Sequence, residues 1–196
     1  MANIFDLTSL RGKITSAYIV LVISTAVFGI IAISDLLFLG RQLAEGEVVS
    51  NLKDEVLEMR RDEKNLFLYS DINALSRADE HAEFAQNILQ DNDKTLSSIV
   101  NESDPATLVK MVAAYREKLG QWNVTAVSEK EPVQEEIRAL GHQIYLSVET
   151  LSSKERQMLE TAVSESRWIL LLTILLIVIS ILIVDNLDDI AELLKK

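Results

Sequence analysis

The sequence predicts an all-α membrane protein with two transmembrane helices and an extracytoplasmic antiparallel four-helix bundle. Three observations predict this fold. Two long apolar runs carry no charge, and the acidic segment between them repeats apolar residues at helical spacing. Glycine and proline are scarce, with six and two in 196 residues, so the chain offers few breaks.

The two apolar runs are residues 14–34, 21 positions without a charge, and residues 168–184, 17 positions without one. A helix needs about 20 apolar residues to cross a bilayer. We therefore expect transmembrane helices at residues 14–39 and 168–184. A signal peptide is the alternative for the first run, but an apolar core of about 7–15 residues is typical of such peptides, so the length favours an uncleaved anchor.

The charges next to the first run predict the topology. Arg11 and Lys13 lie in the flank at residues 1–13, and positive residues mark the cytoplasmic side. The segment at residues 40–167 then lies outside, and a short amphipathic tail at residues 185–196 returns to the cytoplasm. In a bacterium this predicts the inner membrane with a periplasmic domain. Residues 41–167 contain 24 acidic and 15 basic residues, which argues against nucleic acid as a partner.

Four helices are predicted in the external segment, at residues 41–70, 79–102, 106–128 and 133–167. The breaks between them are Ser103-Asp104-Pro105, the approach to Pro132, and a weaker one in which Ser76 or Asp79 caps the second helix. The apolar stripes that predict the core are Leu52, Val56, Met59, Glu63 and Leu66; Phe84, Ile88, Thr95 and Ile99; Leu108, Val112, Tyr115, Leu119, Trp122 and Ala126; and Ile137, Leu140, Ile144, Val148, Leu151, Met158 and Ala162.

Glu155 interrupts the stripe of the last helix, and Glu63 lies on that of the first, where cations surround it. Burying an ionised carboxylate is costly unless it is paired, so Glu63 needs a partner or must be protonated. Arg60 lies three residues earlier, where it can meet Glu63, and Phe67 lies four residues later, where it can cover the pair.

Three interpretations of this stretch remain open. The first is a structural ion pair inside the bundle. The second makes Arg60, Arg61, Glu63, Lys64 and Phe67 a ligand-binding cluster for a small anion, because guanidinium groups suit carboxylate and phosphate. The third is a polar residue that sets the register of a dimer.

The string Met59-Arg60-Arg61-Asp62-Glu63-Lys64-Asn65-Leu66-Phe67-Leu68-Tyr69-Ser70-Asp71 resembles the R-R-x-E-K-N-F-L pattern of bacterial transmembrane sensors with a helical periplasmic domain. These are chemoreceptors and sensor histidine kinases of chemotaxis and two-component systems. The resemblance implies signal transduction by a homodimer that detects a small molecule or a periplasmic binding protein. The cations at Arg60, Arg61 and Lys64 are what suggest that a small molecule bound there is an anion. The external segment is half the size of a two-module sensor and is similar to a single four-helix bundle.

One departure from that pattern leaves two functions open. Only residues 185–196 follow the second run, whereas such receptors continue through a proline-containing linker into an output domain. The sequence is therefore expected to be either the front end of a sensor or a membrane-anchored structural or assembly protein, whose bundle is a spacer or docking surface. The membrane lipid is a partner in both.

Catalytic and metal-binding patterns are absent from the sequence. No phosphate-binding loop, nucleophile elbow or cysteine is present, so we expect no enzyme activity and no cofactor. His81 and His142 lie on different predicted helices without the spacing of a metal site, and both are predicted to be surface residues.

Overall fold

The computed structural model describes residues 10–99, 105–126 and 129–185. They form five helices: α1 (Leu10–Tyr69), α2 (Asn73–Asp91), α3 (Asp93–Ile99), α4 (Pro105–Val124) and α5 (Lys130–Asp185). No strand occurs in these ranges, so the all-α class is confirmed. The capping residues Ser103 and Asp104, residues 1–9 of the N-terminal flank and residues 186–196 of the tail lie outside the described residues.

The chain divides into two compact units. One comprises the described residues of Met1–Gly40 and Thr161–Lys196, and the other comprises Arg41–Glu160. In the first unit, large apolar side chains are exposed, among them Ile30, Leu36, Leu171 and Leu176. Two helical stretches are long and apolar enough to cross a membrane, by length and composition.

Polar side chains within this first unit bond to nearby groups. The Ser166 hydroxyl donates to the Asp35 carboxylate, and Ser166 is buried. The Thr173 hydroxyl donates to the Ile169 carbonyl oxygen at 2.6 Å, one turn earlier on the same helix. Both hydroxyl groups thus have a partner within the protein.

The second unit has a hydrophobic core to which α1, α2, α3, α4 and α5 all contribute. The stripes predicted for α1, α4 and α5 supply most of it. Their fully buried members are Leu52, Val56, Met59, Glu63, Leu66, Leu108, Val112, Tyr115, Leu119, Ile137, Ile144, Val148 and Leu151. Trp122, Leu140 and Met158 are half-buried against the same core, whereas Ala126 is exposed. Periodicity therefore predicted these three core faces well.

Of the stripe predicted for the second external helix, Ile99, now in α3, is buried in the core and Ile88 packs against it, whereas Phe84 was predicted wrongly. Phe84 is 47% exposed, and the buried positions are Ala74, Ala78, Ala82, Ala85 and Leu89. These positions also repeat at spacings of four and three, but four of them are alanines. Small side chains let a helix backbone approach its neighbours closely, which a search for bulky apolar residues overlooks.

The predicted helix at residues 79–102 is also corrected. It begins at Asn73 and is interrupted at Asn92, where α3 follows. Neither Ser76 nor Asp79 caps it; instead, the Asp71 Oδ1 accepts the Asn73 N–H at 3.1 Å. Ser70 has a φ of 55°, and the Asp71 N–H reaches back to the Asn65 carbonyl oxygen at 3.3 Å. The positive φ of Ser70 is typical of a left-handed helix end, and it allows a short turn into α2.

Candidate functional site

The centre of the site is an ion pair between Arg60 and Glu63 on α1. The Arg60 Nη1 contacts both carboxylate oxygens of Glu63, one turn further along the helix. Glu63 is 1% exposed, so its predicted position on the buried stripe is confirmed. The Tyr115 hydroxyl of α4 donates to the Glu63 Oε2 at 3.3 Å, and Arg60 also donates to the Arg138 carbonyl oxygen of α5 at 3.4 Å.

Burial dominates the electrostatics of this pair. Desolvation raises the pKa of Glu63, and the opposing effects of Arg60, Tyr115 and Arg138 only partly offset it. Burial likewise raises the pKa of Tyr115 well above its ordinary value, and the neighbouring Glu63 carboxylate adds to this. Tyr115 therefore stays a neutral donor, while Glu63 binds a proton more readily than an exposed glutamate does.

The backbone of α5 lies directly against the pair at Gly141. A Cβ atom at this position would lie 2.5 Å from both the Arg60 Nη1 and the Glu63 Oε2. Gly141 is buried, so no solvent space is available there. A side chain of any size would displace one of the charged groups, and glycine is what permits α5 to pack on them.

A surface groove of about 410 Å³ lies beside the pair. It is lined by Leu57, Arg60, Arg61, Lys64, His142 and Tyr145, which come from α1 and α5. Three of these six are cationic and none is acidic. Arg61 is paired with the half-buried Glu58, whereas Lys64 has no ion-pair partner among the residues that the structure describes.

Two of the five predicted ligand-binding residues do not line this groove. Glu63 is enclosed behind Arg60, and Phe67 packs at the end of α1 instead. The Phe67 ring meets Trp122 edge-on, with centroids 5.8 Å apart, and the Arg138 guanidinium carbon lies 5.5 Å from the Phe67 centroid. Phe67 thus belongs to an aromatic contact between α1 and α4.

That contact continues to the start of α5. The Lys130 Nζ lies 3.7 Å from the centroid of the Trp122 ring, a cation–π geometry. The Trp122 Nε1 is buried and has no hydrogen-bond partner among the described residues. Trp122 therefore contributes to this contact through its aromatic ring and not through its N–H group.

A second charged cluster joins α1 to α2. Asp62 is 1% exposed, and its Oδ1 accepts from the Arg77 Nη2 at 2.9 Å. Arg77 also pairs with Asp71 at 2.9 Å, and this hydrogen bond lowers the pKa of Asp71. His81 lies between two carboxylates, with its Nδ1 2.7 Å from Glu55 and its Nε2 3.9 Å from Asp62. The prediction that His81 is a surface residue therefore missed its polar contacts with Glu55 and Asp62 of α1.

The roles of Tyr115 and Gly141 in the site were not predicted from the sequence. Tyr115 was assigned to the core by its spacing alone, and nothing in the spacing predicted that Gly141 lies against Arg60 and Glu63. The sequence feature that could have indicated these contacts is the adjacent pair of acids, Asp62 and Glu63. Adjacent residues of a surface helix are rarely both buried, so one helix face cannot supply partners for both. Two consecutive carboxylates beside a buried stripe indicate that cations from other helices must approach them.

The arrangement can bind and orient an anion, and it can hold a proton on Glu63. The described residues contain no group of three or more histidine, aspartate or glutamate side chains able to hold a metal ion. Comparison with models of known protein families gives no match, and neither the curated proteins nor the solved structures searched contain a similar chain.

Proposed function

We propose that the chain is a transmembrane sensory module, in which an extracytoplasmic four-helix bundle binds a small anion and passes a helix displacement across the membrane. The observation that carries the proposal is the cationic groove. Arg60, Arg61 and Lys64 line one surface depression that no acidic side chain lines. Arg60 and Arg61 are paired with Glu63 and Glu58, and Lys64 has no ion-pair partner among the described residues. Such a site attracts carboxylate, sulfate or phosphate groups.

The groove favours an anion that also has an apolar part. Leu57 of α1 is 42% exposed beside the cations, and Tyr145 lines the same groove from α5. A ligand that pairs its charge with the guanidinium groups can lay a hydrocarbon portion on these two side chains. Small organic acids have both features.

The two helices that line the groove support a route for the signal. Helix α1 carries the three cations and also contains the first apolar stretch, while α5 carries His142 and Tyr145 and also contains the second. Both helices are continuous from the groove residues to the apolar residues. A ligand that changes the contact of α1 with α5 would shift one long helix against the other by a piston, tilt or rotation. We propose that the protein acts as a homodimer, as the resemblance of its Met59–Asp71 string to sensor sequences implies.

The anion site is tested on the full chain in a nonionic detergent. Thermal unfolding is followed with sulfate, phosphate and small carboxylates, against chloride at matched ionic strength. We expect stabilisation of the native chain and loss of it in R61A/K64A. The control K94A/K110A removes the same charge at two exposed positions outside the groove. Equal loss in both variants would show only nonspecific charge effects and would reject the site.

The proposed topology needs a separate test. The chain has no cysteine, so E80C and K195C each introduce a single reactive thiol. A membrane-impermeant maleimide is applied to intact bacterial cells. We expect E80C to react and K195C to react only after lysis, and the reverse pattern would place the bundle in the cytosol.

A second function, docking of a partner protein without sensing, is favoured by one surface. Leu68, Tyr69, Ile72 and Val124 are between 58% and 84% exposed at the ends of α1 and α4 and the start of α2. The contact of Phe67 with Trp122 holds these ends together. An apolar surface of this kind suits a protein partner. Loss of partner capture in L68S/Y69S, with anion binding absent in the native chain, would favour docking.

A further inference from the structure

Arg60 has two roles in the geometry of the site. Its Nη1 holds the buried Glu63 carboxylate, and its side chain also lines the groove. The guanidinium has five N–H donors in one plane, so it can face two anions from different directions. An anion in the groove and the Glu63 carboxylate therefore compete for one positive charge.

The other charged or titratable groups that act on Glu63 are few. On α4 the Tyr115 hydroxyl donates to it, and on α5 the positive charge of Arg138 acts on it. Gly141 lies against the carboxylate, so its backbone offers no charge and leaves no room for water. Within the described residues, Arg60 is the one cation in direct contact with Glu63.

We infer that oxyanion binding in the groove is coupled to proton uptake by the Glu63 carboxylate, because both negative groups share the Arg60 guanidinium. This inference rests on the proposed anion-binding function of the groove. The proton comes from solvent and converts the carboxylate to a carboxylic acid, which remains hydrogen-bonded inside the core. The proton thereby offsets one negative charge of the arriving anion.

The physical reason is the cost of placing two anions on one cation in a partly buried site. A second negative charge near a carboxylate raises its pKa, and Glu63 is already shifted upward by burial. Linkage makes the effect reciprocal, so protonation of Glu63 tightens anion binding. Affinity for the anion should rise as the pH falls, by up to about tenfold per pH unit if one proton is taken up.

The effect of His142 on the pH dependence must be distinguished from that of Glu63. His142 also lines the groove, and a protonated imidazole attracts anions as well. H142Q removes its titration and keeps a polar side chain. Because His142 is exposed, this change should leave the packing of α5 intact. The decisive comparison is then H142Q against H142Q/E63Q.

The probe is sulfate, whose charge is constant across the range of about pH 5 to 8 over which histidines and raised carboxyls titrate. Calorimetric titrations of the full chain in nonionic detergent use, at each pH, two cationic buffers whose pKa values lie near that pH and whose ionisation enthalpies differ. The dependence of the measured heat on the buffer gives the number of protons taken up.

For H142Q we expect uptake of between about 0.3 and 1 proton per sulfate and an affinity that rises as the pH falls. For H142Q/E63Q we expect no uptake and an affinity independent of pH. Sulfate binding that persists in H142Q without proton uptake would overturn the coupling and leave the groove standing. No sulfate binding to the native chain at any of these pH values would instead overturn the groove itself, and the coupling with it.

A further variant covers failure of H142Q/E63Q to fold. Y115F/H142Q removes the hydroxyl that favours the ionised carboxylate, so proton uptake should move to higher pH than in H142Q. An unchanged pH profile would contradict the role of Glu63.

Discussion

Gly141 of α5 lies so close to Arg60 of α1 that a Cβ atom on Gly141 would stand 2.5 Å from the Arg60 Nη1. The contact joins two helices 81 positions apart in the chain. It places the backbone of one helix on the buried ion pair of the other, which makes the Arg60–Glu63 pair sensitive to the spacing of α1 and α5.

G141A should therefore destabilise the protein, because the added methyl group must displace Arg60 or Glu63 in a packed interface. That displacement should cost about 1–3 kcal/mol, which exceeds the gain of about 0.5–1 kcal/mol in helix propensity. It should also weaken sulfate binding, since Arg60 moves. Thermal unfolding of the full chain measures the first effect, and calorimetric titration with sulfate the second.

G120A is the matched control for that substitution. Gly120 is exposed within α4, and a Cβ atom added to it would meet no atom of another residue within 4 Å beyond its own helix backbone. Alanine is the better helix former, so G120A should stabilise by about 0.5–1 kcal/mol. Destabilisation of G120A equal to that of G141A would mean that the close contact is not the cause.

The stability of the protein should fall as the pH rises through the pKa of Glu63 in the folded state. Because that pKa is raised above 4.5, the folded chain binds the proton more tightly than the unfolded chain does. The contribution is complete below about pH 4.5 and is lost at higher pH. Urea unfolding followed by circular dichroism at a series of pH values should show this slope.

E63Q should lack that component of the slope, whereas E80Q, at an exposed position of α2, should keep it. Asp71 acts in a different window, since its lowered pKa makes its contribution disappear only as the pH falls below about 3.8. If E63Q and the native chain share the same pH dependence above that range, Glu63 is not the titrating group.

R77M should destabilise the protein, because it leaves the buried Asp62 carboxylate without its principal cation. D62N removes the stranded charge, so R77M/D62N should be more stable than R77M alone. The midpoints of thermal unfolding show which of the two variants is the more stable. A double variant less stable than R77M would indicate that Asp62 is satisfied by other groups, such as His81.

The corrected core face of α2 makes a simple pair of predictions. L89A removes a fully buried side chain and should cost about 2–5 kcal/mol. F84A, at a position that is 47% exposed, should cost less than about 1 kcal/mol. Denaturant unfolding compares them, and a larger loss in F84A would restore the face that the apolar spacing predicted.

The all-α class, the two apolar stretches and the core faces of α1, α4 and α5 were determined by the sequence itself. These features depend on local periodicity and on runs of one residue type, which can be read along the chain. The start of α4 at Pro105 follows from the same kind of signal, because proline is tolerated in the first helical turn.

Tertiary structure decided the partners of the buried charges. Glu63 was visible as an acid on an apolar stripe, but its contact with Tyr115 spans 52 positions and that with Gly141 spans 78. The alanine face of α2 also became a core only through the helices packed on it. Burial is a property of contacts between distant segments, and a charge buried by them must find its partner in space and not along the chain.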